Sequence, residues 1–459
     1  MAKGIGGEQP DDLTEGHLIE HSSLHLISLH MAESNDSFCF RPVNHYEVKD
    51  ALENLNTRKA IRYEGLQPRI LKLVAEELAP SLTRILNTTI EYGTWLSDWK
   101  RGVWVTVYKS NNREEVKNYR PITVLPTIDK LFEKLLGKQF TEYMDPKLSN
   151  SLTAYRKKNG CETTLLRLVE KWKLDLDSRK VVGVLSSDMR SALNLLRTYF
   201  SHRRNRVKLG PVTSQWKVTI RGCPQGSSLG PLLWNSFQND LTYITEEGIS
   251  MYADDHQIFA SGSSASIVEE KLLSEGSKII KWYKNLLQVN VQKYQSMLMG
   301  SGTEAKNSIN LHIDGTDTEQ SKSIKLLGVL LDSQLNFSEH ITLVCKKASQ
   351  QIGVLSRLRK LIPTYAKLPL YKAAILPHLT YCSIIWHFCR ASHKRKAERL
   401  QERALRAVFN DKSLSYDGLL KLAEIPSLVY RRLQDIAILM FVAKRTYFLV
   451  KYRNYLCQK

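Results

Sequence analysis

Residues 249–260 read Ile249-Ser250-Met251-Tyr252-Ala253-Asp254-Asp255-His256-Gln257-Ile258-Phe259-Ala260. Apolar residues flank the acidic pair on both sides, which predicts two short strands joined by a tight turn that carries the acids. Adjacent carboxylates repel each other, so we expect a cation to offset their charge. Mg²⁺ fits because it takes oxygen ligands and is usually held by one or two carboxylates. Taken alone, the pair is more typical of a solvated turn that binds nothing.

Four further blocks of the sequence accompany this acidic hairpin. They are Asn118-Tyr119-Arg120-Pro121-Ile122-Thr123-Val124-Leu125, Val181-Val182-Gly183-Val184-Leu185-Ser186-Ser187-Asp188, Arg221-Gly222-Cys223-Pro224-Gln225-Gly226-Ser227-Ser228-Leu229-Gly230-Pro231-Leu232-Leu233 and Asn290-Val291-Gln292-Lys293. In this order the five blocks resemble those of reverse transcriptases, specifically the non-LTR (LINE-type) retrotransposon enzymes. The resemblance extends from about Phe38 to about Asn410, and five ordered blocks are far more specific than any one of them.

The spacing of apolar residues predicts a mixed α/β core with a helical C-terminal third. We expect helices over 48–55, 66–86, 128–143, 163–176, 229–241, 339–361, 366–376 and 393–408, and strands over 103–107, 181–185 and 323–331. Pro80 is expected to divide the 66–86 stretch or to open its second helix. The stretch 324–329 resembles the family hairpin that holds the primer end.

The resemblance implies a right-hand polymerase fold with palm, fingers and a helical thumb. Residues 1–36 are polar and unpatterned and are expected to form a leader without fixed structure. A helical N-terminal extension is expected over 37–100, the fingers and palm of the reverse transcriptase over 101–335, and the helical thumb with the C-terminal region over 336–459.

The same resemblance implies the chemistry. Asp188 follows an apolar, β-rich run, and in the family this residue joins the acidic pair on one sheet. Asp188, Asp254 and Asp255 are then the catalytic residues and the ligands of two Mg²⁺ or Mn²⁺ ions. The implied reaction is RNA-directed DNA synthesis, the transfer of a nucleotide from a deoxynucleoside triphosphate to the 3′-hydroxyl of a DNA primer on an RNA template. Neither a protein nucleophile nor a small organic cofactor is expected.

Five residues lie at family positions around the incoming nucleotide, and four of them match the family pattern. Lys109 and Arg120 correspond to cations that grip the triphosphate, for which lysine supplies a point charge and arginine a planar fork. Gln225 corresponds to a residue that lines the pocket, and Lys293 to one that can protonate pyrophosphate. Ordinary surface cations would look the same in isolation, and the glycine-flanked Gln225 loop could be only a turn and helix cap.

The fifth position departs from the family pattern. Relatives carry Ala-Phe-Asp where this chain has Ala192-Leu193-Asn194, and the aromatic residue normally blocks the ribose 2′-hydroxyl. Leu193 therefore puts sugar discrimination in doubt. Roughly 20 residues, about one helix with its connections, are missing after Asn194. That loss, and the lack of the endonuclease that many LINE-type proteins carry upstream, favour the alternative that the chain is an impaired remnant which only binds nucleic acid.

Net charge indicates the class of partner. The 459 residues include 66 Lys and Arg against 46 Asp and Glu, a formal charge of +20, which favours a nucleic-acid partner. Two basic stretches are predicted to bind it. They contain Arg203, Arg204 and Arg206, and Lys394, Arg395, Arg399 and Arg403 at near-helical spacing. In the second stretch, i to i+4 ion pairs with Glu398 and Glu402 would explain the charges equally well.

Location is indicated only broadly. No apolar run approaches the roughly 18 residues that span a bilayer, so no membrane partner is expected. The seven cysteines are scattered and odd in number, which argues for a reducing, intracellular setting without separating nucleus from cytoplasm.

Overall fold

The computed structural model describes residues 38–57, 65–109, 112–190, 199, 201–219, 223–284, 288–289, 294–300, 308–358 and 361–445. The predicted leader over 1–36, the Ala192-Leu193-Asn194 segment and Lys293 lie outside these residues. For Asp188 the backbone is described and the side chain is not.

Three helices precede the first sheet: α1 (His45–Glu53), α2 (Pro68–Leu73) and α3 (Ala75–Glu91). Asn44 begins α1 with a capping box, in which its side chain accepts from the Glu47 amide and the Glu47 carboxylate accepts from the Asn44 amide. The break expected at Pro80 is wrong, because the chain bends at Val74 and Pro80 lies inside α3. So close to the helix start the proline costs only one intrahelical hydrogen bond, and the apolar face of α3 continues past it.

The first sheet is built on an antiparallel hairpin of β1 (Arg101–Tyr108) and β2 (Tyr119–Val124). Helix α4 (Thr127–Met144) follows and packs its apolar face against α1–α3. Strand β4 (Arg203–Leu209) runs parallel to β1, and the short strands β5 (Val212–Thr213) and β6 (Lys217–Thr219) pair with β4. The basic stretch around Arg203 is therefore a strand of this sheet.

A second sheet carries the acidic hairpin. Its strands are β3 (Val181–Arg190), β7 (Gly248–Tyr252), β8 (Asp255–Gly262), β9 (Gln288–Val289), β10 (Gln295–Met299) and β13 (Glu319–Gln320). The strand order is β13-β10-β3-β8-β7, and β9 pairs with the end of β3. The expected strand over 181–185 and the hairpin are confirmed, although β3 continues five residues further.

Helices cover both faces of this second sheet. Val182 and Val184 share a core with α5 (Cys161–Asp177) and the C-terminal helices, whereas Val181 and Leu185 face α8 (Ala265–Lys284). Gly183 lets α8 approach closely, since a Cβ there would lie 2.4 Å from the Val268 side chain. Residues 229–241 do not form one helix, because α6 (Gly230–Gln238) ends before α7 (Leu241–Ile244).

Two small hairpins lead to the C-terminal helices. They are β11 (His312–Ile313) with β12 (Thr316–Asp317), and β14 (Ser323–Leu326) with β15 (Val329–Asp332). The helices are α9 (Ser338–Leu358), α10 (Thr364–Leu370), a π-helical turn (Tyr371–Ile375), α11 (Leu376–Thr380), α12 (Ala391–Phe409), α13 (Tyr416–Ala423) and α14 (Leu428–Arg445). The mixed α/β class with a helical C-terminal third is confirmed. Within the described ranges, no helix is long and apolar enough to cross a membrane.

Candidate active site

The acidic pair lies at a two-residue hairpin turn. Tyr252 pairs with Asp255 across β7 and β8, so Ala253 and Asp254 form the loop. Ala253 has φ +53°, and a positive φ at the first loop position is the feature of the type II′ turn. Asp254 and Asp255 are both exposed, which leaves their carboxylates accessible to a ligand.

Strand register brings the backbone of Asp188 next to the same turn. In the antiparallel pairing of β3 with β8, Asp188 lies directly opposite Asp255. Opposed residues of such a pair have Cα atoms about 4.5–5.5 Å apart and project to one face of the sheet. This pairing ends at Asp188, and the last two residues of β3, Met189 and Arg190, pair with β9 instead.

The donor set fits divalent cations. Like charges directly opposite each other destabilise a strand pair, and Asp188 and Asp255 would repel in this way without a counter-ion. Mg²⁺ and Mn²⁺ prefer carboxylate oxygens, and Asp254 adds another ligand from the adjoining turn. These three residues are the ones that could hold a metal pair.

The surroundings of two tyrosines near the turn raise their pKa values. Partial burial, with the negative charge of Asp254 as the second cause, raises the pKa of Tyr155. A hydrogen bond to the Cys161 thiol, with burial and nearby thiol and phenol groups, raises the pKa of Tyr252 to about 12. Both phenols therefore stay protonated at neutral pH.

The loop that carries Gln225 is fixed to the first sheet. The Thr123 amide donates to the Gln225 carbonyl at 2.7 Å, while the Gln225 side chain is exposed. Gly226 has φ +121°, and a Cβ there would lie 2.6 Å from the Thr123 carbonyl oxygen. The glycine therefore permits a close approach of the loop backbone to β2. Gln225 itself remains available to a ligand.

A buried hydrogen-bond network that was not predicted from the sequence braces this loop. Glu133 accepts from the Tyr199 hydroxyl at 2.5 Å and from the Ser228 amide at 2.6 Å. The Tyr199 hydroxyl also lies 2.7 Å from the Ser227 hydroxyl. Burial and the adjacent Glu133 charge raise the pKa of Tyr199 well above its usual value. The signal in the sequence is a carboxylate on the apolar face of α4.

Lys109 and Arg120 lie on one side of the β1–β2 hairpin. Arg120 pairs with Val107, and Lys109 follows two residues later, so side chains at these positions share a face. Both cations are exposed, as are the neighbouring Val105 and Val107. This face can present two positive charges to an anionic ligand.

The basic stretch in β4 is only partly a surface. The prediction that Arg203 binds nucleic acid is wrong, because its side chain is only 3% exposed. Its guanidinium lies 4.3 Å from the centre of the Tyr199 ring, and its Nε donates to the Tyr199 carbonyl. Arg206 is half-buried over the Trp216 ring, and Arg204 is exposed. Of these three arginines, only Arg204 presents its charge fully to solvent, because the tertiary contact with Tyr199 encloses Arg203.

The second basic stretch forms a row on α12. Arg395, Arg399 and Arg403 are exposed at four-residue spacing, and Lys394 is half-buried. Of the two interleaved acids, Glu402 pairs with Arg406 at 2.7 Å, whereas Glu398 accepts from the Tyr416 hydroxyl and the Val429 amide. The ion-pair alternative therefore applies to Arg406. Among the described residues, the other three arginines make no ion pair.

Comparison with known proteins identifies the family. Residues 107–331 match the model for reverse transcriptase (RNA-dependent DNA polymerase). The chain is 24% identical to the "Probable RNA-directed DNA polymerase from transposon BS" of Drosophila melanogaster, over 81% of this chain and 45% of the relative. It is 23% identical to the "RNA-directed DNA polymerase from mobile element jockey" of the same organism, over 79% and 43% respectively. The chain thus spans about half the length of the curated relatives it matches.

A solved structure of apo telomerase from Candida tropicalis, truncated from its C-terminal domain, is also similar. It has 11% sequence identity and a TM-score of 0.33, and the match covers 56% of this chain and 59% of that one. The family match and the named relatives agree with the five ordered blocks, and the chain accordingly contains a reverse transcriptase domain of the non-LTR retrotransposon (LINE) type.

Proposed function

We propose that this chain is an RNA-directed DNA polymerase that extends a DNA primer on an RNA template. The strand register that sets Asp188 opposite Asp255, next to Asp254 in the turn, is the observation that supports this most. The register supports three aspartates at one end of the second sheet, and carboxylates of this kind are the ligands that a two-metal nucleotidyl transfer site uses.

The roles of the residues follow from this chemistry. Asp188, Asp254 and Asp255 hold the cations. When bound, two divalent ions supply activation of the primer hydroxyl and charge stabilisation of the leaving pyrophosphate. No side chain has to act as a nucleophile, so the contribution of the protein is position and charge.

The remaining nucleotide contacts are proposed for the other family positions. Lys109 and Arg120 bind the triphosphate, supported by their shared exposed face on β1–β2. Gln225 lines the base and sugar pocket, supported by its exposed side chain on an anchored loop. Leu193 contacts the sugar, and Lys293 protonates the pyrophosphate.

We propose the right-hand arrangement as the architecture behind this function. Residues 101–335 form fingers and palm, with the first sheet in the fingers and the second in the palm. The helices after residue 336 form the thumb, and 37–100 form an N-terminal extension. Support comes from the separation of the two sheets and from the helical character of the C-terminal third.

The RNA template and DNA primer are proposed to lie against the arginine row of α12, with Arg204 and Arg206 as further contacts. Support comes from the exposure of Arg395, Arg399 and Arg403 without ion pairs within the described ranges. Phosphate contacts of this kind release counter-ions, so we expect affinity for RNA–DNA duplexes to fall with salt and to depend weakly on sequence. Affinity that does not change with salt would contradict these contacts.

Primer extension by the purified chain tests the proposal. An RNA template annealed to a DNA primer, deoxynucleoside triphosphates and Mg²⁺ or Mn²⁺ should yield extended product, and chelation should abolish it. The alternative, a remnant that binds nucleic acid without synthesis, rests on the sequence gap after Asn194. It predicts salt-sensitive binding of the duplex and no extension with either metal.

A further inference from the structure

Helix α6 begins directly after the Gln225 loop and ends against the hairpin turn between Tyr252 and Asp255, which we call the metal-site turn. The indole Nε1 of Trp234 and the amide Nε2 of Gln238 both donate to the carbonyl oxygen of Ala253, each at 3.0 Å. Both side chains are buried, with Trp234 5% and Gln238 0% exposed. The two hydrogen bonds are partly buried, because Ala253 itself lies half-buried in the turn.

The Ala253 carbonyl controls the direction of Asp254. It belongs to the same planar peptide unit as the Asp254 amide, so fixing the oxygen fixes the plane from which the Asp254 side chain departs. Ala253 has φ +53°, a conformation that an L-residue keeps only when its surroundings hold it. The two donors of α6 supply that restraint.

The same helix also donates to the segment around Ala154 and contacts His256, the residue after the acids. Asn235 donates to the Ala154 carbonyl at 2.8 Å, next to Tyr155, whose pKa responds to Asp254. Gln238 Nε2 also lies 2.7 Å from His256 Nε2, directly after Asp255. Because an amide nitrogen offers only hydrogens, the imidazole accepts at Nε2, and Gln238 uses both of its N–H groups.

We infer that Trp234 and Gln238 are positioning residues for the metal-site turn, so that α6 links the Gln225 loop to Asp254. The inference rests on the proposed function for its effect on synthesis. At its start α6 is preceded by Ser227 and Ser228, which are held by the Tyr199–Glu133 network. The nine-residue helix, about 13 Å long, connects the loop before its first residue with the turn that contacts Trp234 and Gln238.

Trp234→Phe is the main test, because it removes the N–H donor and keeps an aromatic ring. The matched control is Trp172→Phe. Trp172 is also buried, and its Nε1 has no hydrogen-bond partner within the described part of the chain. Hydrogen exchange of the 251–257 peptide and Mn²⁺ affinity, from the electron paramagnetic resonance of free Mn²⁺, are measured on the full chain without substrate.

We expect Trp234→Phe to speed exchange of this peptide about tenfold and to weaken Mn²⁺ binding by about 10- to 100-fold, since residues that orient metal ligands have effects of that size. Trp172→Phe should match the wild type in both. In primer extension, kcat should fall for Trp234→Phe while KM for the primer–template stays within about twofold. Equal exchange and equal Mn²⁺ affinity in the two variants would overturn the inference.

Gln238→Met provides the second variant if Trp234→Phe melts at a much lower temperature than the wild type. It keeps the length of the side chain, removes both N–H donors and should change exchange and Mn²⁺ affinity in the same direction. Exchange and Mn²⁺ binding need no synthesis, so a wild-type chain that fails to extend primers refutes the proposed function and leaves the positioning role to be judged by these two readouts.

Discussion

Two hairpin turns of this molecule are built alike and held differently. The metal-site turn between Tyr252 and Asp255 and the turn between Leu326 and Val329 each have a two-residue loop with positive φ. In each, the carbonyl of the first loop residue accepts from a side chain of another segment. For the second turn that donor is the Tyr381 hydroxyl, which lies 2.8 Å from the Leu327 carbonyl oxygen.

The difference lies in the surroundings of the donors. Trp234 and Gln238 are buried, whereas Tyr381 is 46% exposed and comes from the C-terminal helical region. The hydrogen bonds to the Ala253 carbonyl are partly buried, whereas the bond to the Leu327 carbonyl is exposed and can be exchanged for one to solvent at little cost. We therefore expect the metal-site turn to be held more firmly than the second turn.

The largest expected effect concerns the chemistry carried by the first turn. Asp254→Asn should lower the rate of primer extension by about 10³-fold or more. Asp254 is proposed to hold the metal ions, and these ions stabilise the transition state. Binding of the RNA–DNA duplex should change little, since it rests on distributed cations. Gel shift and primer extension on one preparation measure both.

Asp417→Asn is the control for this change, as it removes an exposed carboxylate in α13, outside the proposed site. It should leave extension within about twofold of the wild type. Equal activity of Asp254→Asn and the wild type would show that the Asp254 carboxylate is not catalytic.

The next effect compares the backbones of the two turns. Gly328 has φ +86°, and a Cβ there would lie 3.1 Å from the Tyr381 ring, so Gly328→Ala should lower the free energy of unfolding by about 1–3 kcal/mol. Ala253→Gly relieves a positive φ but gains unfolded-state entropy, so it should be neutral within about 1 kcal/mol. Urea unfolding of both variants checks the prediction. A larger loss for Ala253→Gly than for Gly328→Ala would reverse the comparison.

The smallest change in stability is expected from loss of the exposed hydrogen bond between the Tyr381 hydroxyl and the Leu327 carbonyl. Tyr381→Phe keeps the ring against Gly328 and removes the hydroxyl, so the free energy of unfolding should fall by about 1 kcal/mol or less. Exchange of the 324–331 peptide should rise less than that of the 251–257 peptide does in Trp234→Phe. A greater rise would mean that the exposed bond is the stronger restraint.

The sequence predicts the elements of the site better than their connections. The apolar run of β3 and the hairpin around Asp254 follow from local pattern, and the structure contains both. That Asp188 lies opposite Asp255 depends on a strand pairing between residues far apart in the chain, which no local pattern specifies. The family resemblance implied the three acids, and the register supplies the geometry.

Tertiary contacts explain the predictions that failed. Arg203 looks like any cation of a basic stretch, and only its contact with Tyr199 encloses it. Trp234 and Gln238 look like ordinary residues of an apolar helix, and their function as donors depends on a carbonyl from another strand pair. A glutamine on the buried face of α6 was the available signal, because buried amides require partners.

Mn²⁺ binding by Asp188→Asn tests whether this carboxylate converges with the metal-site turn. Free Mn²⁺ is titrated by electron paramagnetic resonance against the wild type, Asp188→Asn, Asp255→Asn and the Asp417→Asn control. Asp188→Asn and Asp255→Asn should both weaken binding by at least about tenfold, because each removes one ligand of a shared site. Wild-type affinity in Asp188→Asn, together with a loss in Asp255→Asn, would contradict it.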